Sequence, residues 1–420
     1  MAKVLVKKRI LIYSLVFSPD SVSTAYLYND LALGFKDKGY HVTVLTTTPH
    51  FNLIKESLEK QPLKKHFFGV FYTSRYNGIK VFHIPLKKYK IPFYRIISFI
   101  YWHKISFIVM LFLKRPDIIL TPSPPLSSGL IAILIAKLKS SKTIYNVQEI
   151  YPDLLINLGH LNNSFLIKIL KKLEQMVYNK SNAVTTIDKQ FYNTILPRIK
   201  EKKKLHIIPN FVNTDLYKLS TSVQLPLKFR NLSENVNMVY AGNIGLAQEW
   251  DLVLKLAHEI KDDPITIWII GEGVKKEYLA SQIENYKLSN IKLLPYQDRK
   301  YMPAINLFAD FHFIAMNKST ENEGFPSKVY TIMASGKPIV VVSSENTPII
   351  SFLREANVAE LVLDHSLRGF KDAVLKLTYQ KELRKRLGEN GRKIIEQQYS
   401  RSHIINKYVD LLSDMSIKNF

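Results

Sequence analysis

Short apolar runs rich in β-branched residues alternate with stretches of helical period along almost the whole chain, the pattern expected of parallel βαβ units. In the first half the runs are RILIYSLVF from Arg9, HVTVLTT from His41, KVFHI from Lys80, DIILT from Asp117, TIYNV from Thr143 and AVTTI from Ala183. Helical segments fall between them, such as TAYLYNDLALGFKDKG, which Gly39 closes as a C-terminal cap. After Ile187 the pattern pauses in a polar, lysine-rich segment and restarts with LHIIPNF from Leu205. A second series follows: NMVYAG, ITIWIIGEG, IKLLPY, DFHFIAM, PIVVV and AELVLD, separated by stretches such as WDLVLKLAHEI. Near-continuous apolar strands of this kind are buried on both faces. The pattern predicts an α/β fold of two Rossmann-like domains, 1–187 and 205–395, followed by a helical tail over 396–420. Ligands of such sheets bind beyond the carboxyl ends of the strands, so the polar residues and glycines just after strands are the places to look.

Composition agrees and narrows the partner. A length of 420 residues suits two domains, and 46% hydrophobic with 22% charged residues is ordinary for a folded protein. The absence of cysteine removes disulfides, thiolate metal sites and cysteine nucleophiles, and fits a reducing compartment. The N-terminal run resembles a signal peptide, but Ser-Pro-Asp and a helical pattern follow it with no small-residue cleavage site, so it reads as a first buried strand. A net charge of +24 calls for an anionic partner. The basic clusters are scattered at Lys64–Lys65, Lys87–Lys90, Lys168–Lys172 and the run ending at Lys204. KKYKIPFYRIISFIYWHKISFIVMLFLKR, ending at Arg115, is long enough to cross a membrane, but His103 and Lys104 interrupt its centre. It reads as a helix of the first domain, either under the sheet or, with its aromatic and basic flanks, at a membrane interface.

The stretch ENEGFPSKVYTIMASGKPIVVV, Glu321 to Val342, places an acidic residue, glycine, proline and a Ser-Lys pair before a short helix and a buried strand. The expectation is an anion-binding turn, with Pro326 at the first helical position and the N–H groups of Ser327 and Lys328 facing the bound group. Gly242 and Gly245, in YAGNIGLAQEWD, sit between a strand and a helix, where a phosphate can approach backbone closely or where a tight turn needs glycine for geometry alone. There is no GxGxxG and no Walker A motif, and SGKP precedes a strand rather than a helix. No Asp-x-Asp pair occurs and the histidines show no paired metal spacing, so a metal-free, cofactor-free mechanism is favoured.

IIPNFVNTDLY, YAGNIG, IIGEG, LLPYQ and EGFPSKVYTIMASGKP stand in the order and spacing found in retaining glycosyltransferases of family 4, and TTTPHFN, TPSPPLSSG and NVQEIYPD extend the likeness through the first half. The chain resembles that family, and within it the bacterial WbuB-like branch of O-antigen and capsule sugar transferases. The resemblance implies a GT-B fold of two Rossmann-like domains facing across a cleft, closing over the donor, with the C-terminal helix returning to the first domain. It implies a nucleotide-sugar donor, UDP-linked, held by the second domain, and a lipid-linked acceptor, an undecaprenyl-diphosphate saccharide, at the first. Glu323 matches the acidic residue that contacts the donor sugar. Gly242, Asn243, Gly245, Gly271, Pro295, Tyr296, Gly324, Phe325, Pro326, Ser327, Lys328 and Thr331 fall on the donor-binding motifs.

Three positions depart from the family. Thr331 stands where a ribose-binding glutamate is usual and offers one short hydroxyl in place of a carboxylate. Asn243 and Gln248 replace an arginine and a lysine that usually meet the diphosphate, which leaves Lys328 as the candidate for the lost charge. In the first domain Glu149 is the candidate base for the acceptor hydroxyl. Asp153 is either an acceptor contact or a helix cap. Ser18, Asp20 and Ser21 border the acceptor, Ser23 reads as a helix cap, and Asn210 lines the cleft. Together the charge and the aromatic helix favour a cytoplasmic, peripheral enzyme on the anionic inner face of the plasma membrane. The rivals are a nucleotide-sugar epimerase on the same fold and a nucleic-acid binder. The latter lacks aromatics interleaved with basic residues on a strand, so nucleic acid is not expected as a partner.

Overall fold

The computed structural model describes residues 8–51, 55–87, 89–157, 159–220, 224–225, 229, 235–321 and 325–417. The chain divides into two units, Met1–Asn210 with Ile404–Phe420, and Phe211–His403.

The first unit is built on β1 (Arg9–Tyr13), β2 (His41–Thr47), β3 (Lys64–His66), β4 (Phe71–Tyr76), β5 (Ile79–Ile84), β6 (Ile118–Ser123), β7 (Lys142–Val147), β8 (Ala183–Thr186) and β9 (Leu205–Ile207). They form one sheet in the order β3-β4-β5-β2-β1-β6-β7-β8-β9. From β5 to β9 all pairs are parallel, whereas β3 and β4 add an antiparallel edge. Its helices are α1 (Ser23–Asp37), α2 (Lys55–Lys60), α3 (Pro92–Phe112), α4 (Leu126–Lys139), α5 (Asp153–Asn157), α6 (Ser164–Lys180) and α7 (Lys189–Ile195). The α3 helix packs through Trp102, Ser106 and Met110, four residues apart along one stripe. Trp102 stacks on Tyr13 with ring centroids 5.2 Å apart, so this part of the long apolar run is core.

The second unit carries β10 (Val236–Ala241), β11 (Ile265–Ile270), β12 (Ile291–Leu294), β13 (Phe311–Ala315), β14 (Ile339–Val342) and β15 (Ala359–Val362) in the order β12-β11-β10-β13-β14-β15. Every pairing is parallel; β11, β13 and β14 are buried along their whole length, whereas the edge strands β12 and β15 are only partly buried. Around it lie α8 (Trp250–Glu259), α9 (Lys276–Asn285), α10 (Met302–Phe308), α11 (Lys328–Ala334), α12 (Pro348–Ala356), α13 (Leu367–Tyr379) and α14 (Lys381–Ile394). A π-helical turn, Ile395–Tyr399, leads to α15 (Arg401–Ile417), whose Ile404, Ile405 and Tyr408 are buried in the first unit.

Several expectations are corrected. The LHI segment opens no second series: it pairs with β8 as the edge strand of the first sheet. The run RILIYSLVF ends as a strand at Tyr13, because Ser14 Oγ donates to Val16 O at 2.8 Å and turns the chain. β3 and β4 were not anticipated, since Lys-Lys-His and Phe-Tyr-Thr-Ser-Arg-Tyr are too polar to read as buried strands. Ser23 does not cap α1: it is the first helical residue, and Val22 occupies the cap position.

Candidate functional site

Three turns of the second unit meet at the carboxyl ends of adjacent strands. The Gly242 N–H donates to Ile270 O at 2.9 Å, Ile244 N–H to Glu272 O at 2.8 Å, and Gly271 N–H to Leu294 O at 3.0 Å, stitching the ends of β10, β11 and β12 together. A Cβ at Gly271 would fall far inside contact distance of the Gly242 carbonyl, so glycine there is what lets the two turns stack. Tyr240 completes the first turn by donating its hydroxyl to Asn243 O at 2.6 Å.

Lys328, the first residue of α11, enters this cluster from the far side of β13. Its Nζ lies 3.6 Å from the centroid of the Tyr240 ring, and a Cβ at Gly242 would come within 2.5 Å of it. The residue as a whole is partly exposed, but the Nζ is closed off from solvent and has no hydrogen-bond partner among the described residues. Burial pushes its pKa down to about 7. A buried, unpartnered amine beside backbone turns is costly unless an anion arrives to pair with it.

Other donor-side candidates are placed as follows. Asn243 is exposed, with its side chain close to Gly245 and Gly273. Pro295 and Tyr296 follow β12, where the Tyr296 N–H donates to Glu272 Oε1 at 3.4 Å. Thr331 is half-buried, its hydroxyl donating to Lys328 O of its own helix at 2.9 Å. Gln248 folds its amide onto the neighbouring Ala247 O at 3.1 Å and, being neutral, supplies no positive charge. Phe325 packs on Tyr330 and Phe352 at centroid distances of 5.3 and 5.2 Å, so its ring is an anchor in the core. Glu323 and Gly324 lie outside the described residues. The expected helix start at Pro326 is corrected: α11 begins at Lys328, and Ser327 holds the cap position without a side-chain cap bond. With seven residues the helix contributes little dipole, and the lysine carries the electrostatics.

Sequence reasoning missed Tyr240, the ring beneath the amine, although it lies two residues before the glycine. It also missed Glu321. Burial works to raise that carboxyl's pKa, but hydrogen bonds from Ser344, His365 and Ser343 outweigh it and hold the group below its ordinary value. Its Oε2 accepts from the Ser344 N–H at 2.8 Å, His365 Nε2 at 3.0 Å and Ser343 Oγ at 3.1 Å, tethering the chain just before Phe325.

In the first unit, Ser18 donates its hydroxyl to Gln61 Oε1 at 2.6 Å, and Asp20 Oδ1 accepts the N–H groups of His50 and Phe51, each at 2.8 Å. The Ser21 N–H donates to Phe51 O at 3.1 Å, so this loop is latched to the segment after β2. Asn210 and Gln148 exchange amide hydrogen bonds of 2.9 and 3.0 Å, which makes Asn210 part of a network with Asn146 and Tyr28. Asp153 heads α5 and is ion-paired to Arg198, with Lys171 at 3.9 Å. Those charges hold its carboxylate in an ion-pair network within the first unit. Glu149 follows β7 with its backbone held by Ser123, the hydroxyl donating to Glu149 O at 2.7 Å. Its side chain is exposed, yet lost hydration among its neighbours still raises the carboxyl pKa. Among the described residues no group of three or more metal-ligating side chains occurs.

Comparison with known proteins accounts for this arrangement. Residues 26–216 match the family described as Glycosyltransferase Family 4, and residues 228–394 match Glycosyl transferases group 1. A relative in Escherichia coli K12, named as the colanic acid biosynthesis glycosyl transferase WcaI, is 22% identical over 81% of this chain and 84% of its own. The poly(ribitol-phosphate) alpha-N-acetylglucosaminyltransferase of Staphylococcus aureus is 21% identical over 61% of this chain and 50% of its own. Among solved structures, Anabaena HepE in complex with UDP superposes with a TM-score of 0.70 at 14% identity, over 97% of this chain and all of its own. Both halves of the chain match glycosyltransferase families and the fold is shared along nearly its whole length: the chain belongs to the family 4 glycosyltransferases of GT-B fold.

Proposed function

We propose that the second unit holds a nucleotide-diphosphate sugar at the turns after β10, β11 and β12, and that the enzyme transfers the sugar, with retention and without a metal, to a lipid-linked saccharide. The donor sugar is an N-acetylated hexosamine or deoxyhexosamine, the acceptor an undecaprenyl-diphosphate saccharide, and the product a cell-surface polysaccharide such as O-antigen or capsule. The observation that carries the reading is the buried, unpartnered Lys328 Nζ between Gly242 and the Tyr240 ring. When the bond from the sugar's anomeric carbon to the diphosphate breaks, negative charge grows on the leaving oxygen, and a fixed ammonium there stabilises it without a metal ion. Glu149, on the first unit, accepts the proton of the attacking hydroxyl. Names of relatives in colanic acid and ribitol-phosphate polymer assembly support the polymer class, and the UDP bound to HepE makes UDP the first nucleotide to try. The enzyme works from the cytoplasmic face of the plasma membrane as a peripheral protein, which the net charge of +24 supports.

Calorimetry with UDP, GDP, ADP and CMP in EDTA tests the donor side. The expected result is binding of one nucleoside diphosphate, weakened about tenfold or more in Lys328→Ala, the loss typical of a hydrogen bond to a charged group. An unchanged dissociation constant removes Lys328 from the site, and binding that appears only with added divalent cation overturns the metal-free reading. For the acceptor side, Glu149→Gln is expected to lower turnover by about a hundredfold or more while donor binding stays intact. Retained turnover would sink that role.

A further inference from the structure

Between Glu59 and Asp117 the sequence holds twelve lysines and arginines and no carboxylate. The same stretch displays apolar side chains that a water-soluble surface has no use for. At the tip of the β3–β4 hairpin, Phe67 is 73% exposed and Phe68 fully exposed. Both have positive φ, 44° and 54°, a backbone region that bulky residues rarely adopt. The hairpin thus holds two phenylalanines outward in strained backbone, a conformation that persists only where the surroundings impose it. Lys64 and Lys65 precede them, both exposed.

The hairpin is joined to α3 through rings. Phe67 lies 5.7 Å from Phe71, and Phe71 lies 6.1 Å from Phe82, which shares a core cluster with Trp102 of α3. The buried stripe of α3 starts only at Trp102. Its first turns leave Phe93, Tyr94, Ile96 and Ile97 exposed beside Arg95. Further along, Ile100, Lys104 and Ile108 face outward while Trp102, Ser106 and Met110 face the core. An apolar and aromatic surface drawn from a stretch that carries lysines and arginines but no carboxylate has the chemistry of a lipid–water interface whose headgroups are anionic. A second copy of the chain would bring like charges together and is disfavoured on that ground.

We infer that the Phe67–Phe68 hairpin tip and the outward face of α3 form one monotopic docking surface that seats in an anionic lipid leaflet, the phenylalanines entering the acyl boundary and the lysines and arginines meeting the headgroups. This rests on the peripheral location proposed above and names the surface that produces it.

The test uses the full chain and vesicles of phosphatidylcholine with or without phosphatidylglycerol. Cosedimentation is expected with the anionic vesicles. The Phe67→Ser/Phe68→Ser variant is expected to lower the partition coefficient by about tenfold or more, as loss of buried apolar area requires. Because both side chains are exposed, the variant keeps its fold, checked by an unchanged melting temperature and unchanged nucleotide affinity. In Phe68→Trp, tryptophan emission is expected to shift to the blue on anionic vesicles. Equal partitioning of the variant, or no shift, overturns the proposal. So does a dimer of the wild-type chain in lipid-free buffer that the double serine variant dissolves, since the occupant is then a second copy. Failure to bind vesicles with intact nucleotide binding sinks the membrane reading alone, whereas loss of nucleotide binding by the wild-type chain concerns the donor site alone.

Discussion

Lys328 ties a titration to both stability and binding. Its folded pKa of about 7 lies below the unfolded value of 10.5, so between those values the unfolded chain binds a proton that the free folded protein does not. The resulting penalty on folding is present in full below about pH 7 and fades as pH rises toward 10.5. Lys328→Met should therefore raise the unfolding free energy of the ligand-free protein most at or below neutral pH, by on the order of a few kcal/mol, with the gain shrinking in alkaline buffer. A pH-independent difference would show that the amine is not held out of water. Donor binding should in turn take up a proton above neutrality, measurable by calorimetry in buffers of different ionisation enthalpy. Gly271→Ala forces a Cβ into the Gly242 carbonyl and should cost about 1–3 kcal/mol of stability together with nucleotide binding. Wild-type behaviour would mean that the stacked turns relax freely. Of these residues the sequence marked Lys328, Gly242 and Gly271 through motif spacing. It could not mark the burial of the amine, which depends on Tyr240 and Gly242 arriving from another strand.

At the scale of elements, the Arg198 guanidinium joins α5 and α6 by pairing with Asp153 and with the buried Glu174, at 2.9 Å from Glu174 Oε1. Burial raises the Glu174 pKa in spite of that partner. Arg198→Ala should destabilise the protein by about 3–5 kcal/mol at neutral pH, since it strands a buried carboxylate. The deficit should narrow as acid protonates Glu174, and a deficit unaffected by pH would point to lost packing instead. The parallel strands of both sheets were legible as apolar runs because strands buried on two faces leave no polar alternation to misread. The β3–β4 hairpin was not, because an edge that is half solvated carries a mixed sequence, and its phenylalanines look like core until the turn exposes them. The long α3 was legible as a helix, but the division of its apolar residues between core and surface was not, since hydropathy is the same on either side.

For the whole molecule, the chain passes from the first unit to the second after Asn210 and back after His403. The returning α15 buries Ile404, Ile405, Tyr408 and Leu412, with Ile405 against Gly34 and Tyr408 in edge contact with Phe35 at 5.8 Å. At about 2–5 kcal/mol for each large buried side chain, removing the helix should exceed the total stability of a typical domain, about 5–15 kcal/mol. A chain ending at His403 should accordingly lose the cooperative unfolding of its first unit in a thermal scan. An unchanged scan would show that the helix is dispensable. The sequence by itself determined the succession of βαβ units, the two sheets and the turns at the strand ends, because hydrophobic period and glycine placement act over a few neighbouring residues. Only the tertiary structure decided that Leu205–Ile207 joins the first sheet, that Asp153 is held by Arg198, that the Thr331 hydroxyl is spent on its own helix, and that the Lys328 amine is closed off from solvent while Phe68 is exposed. Strand partners, ion pairs and access to water are set by residues far apart along the chain, and no local pattern carries them.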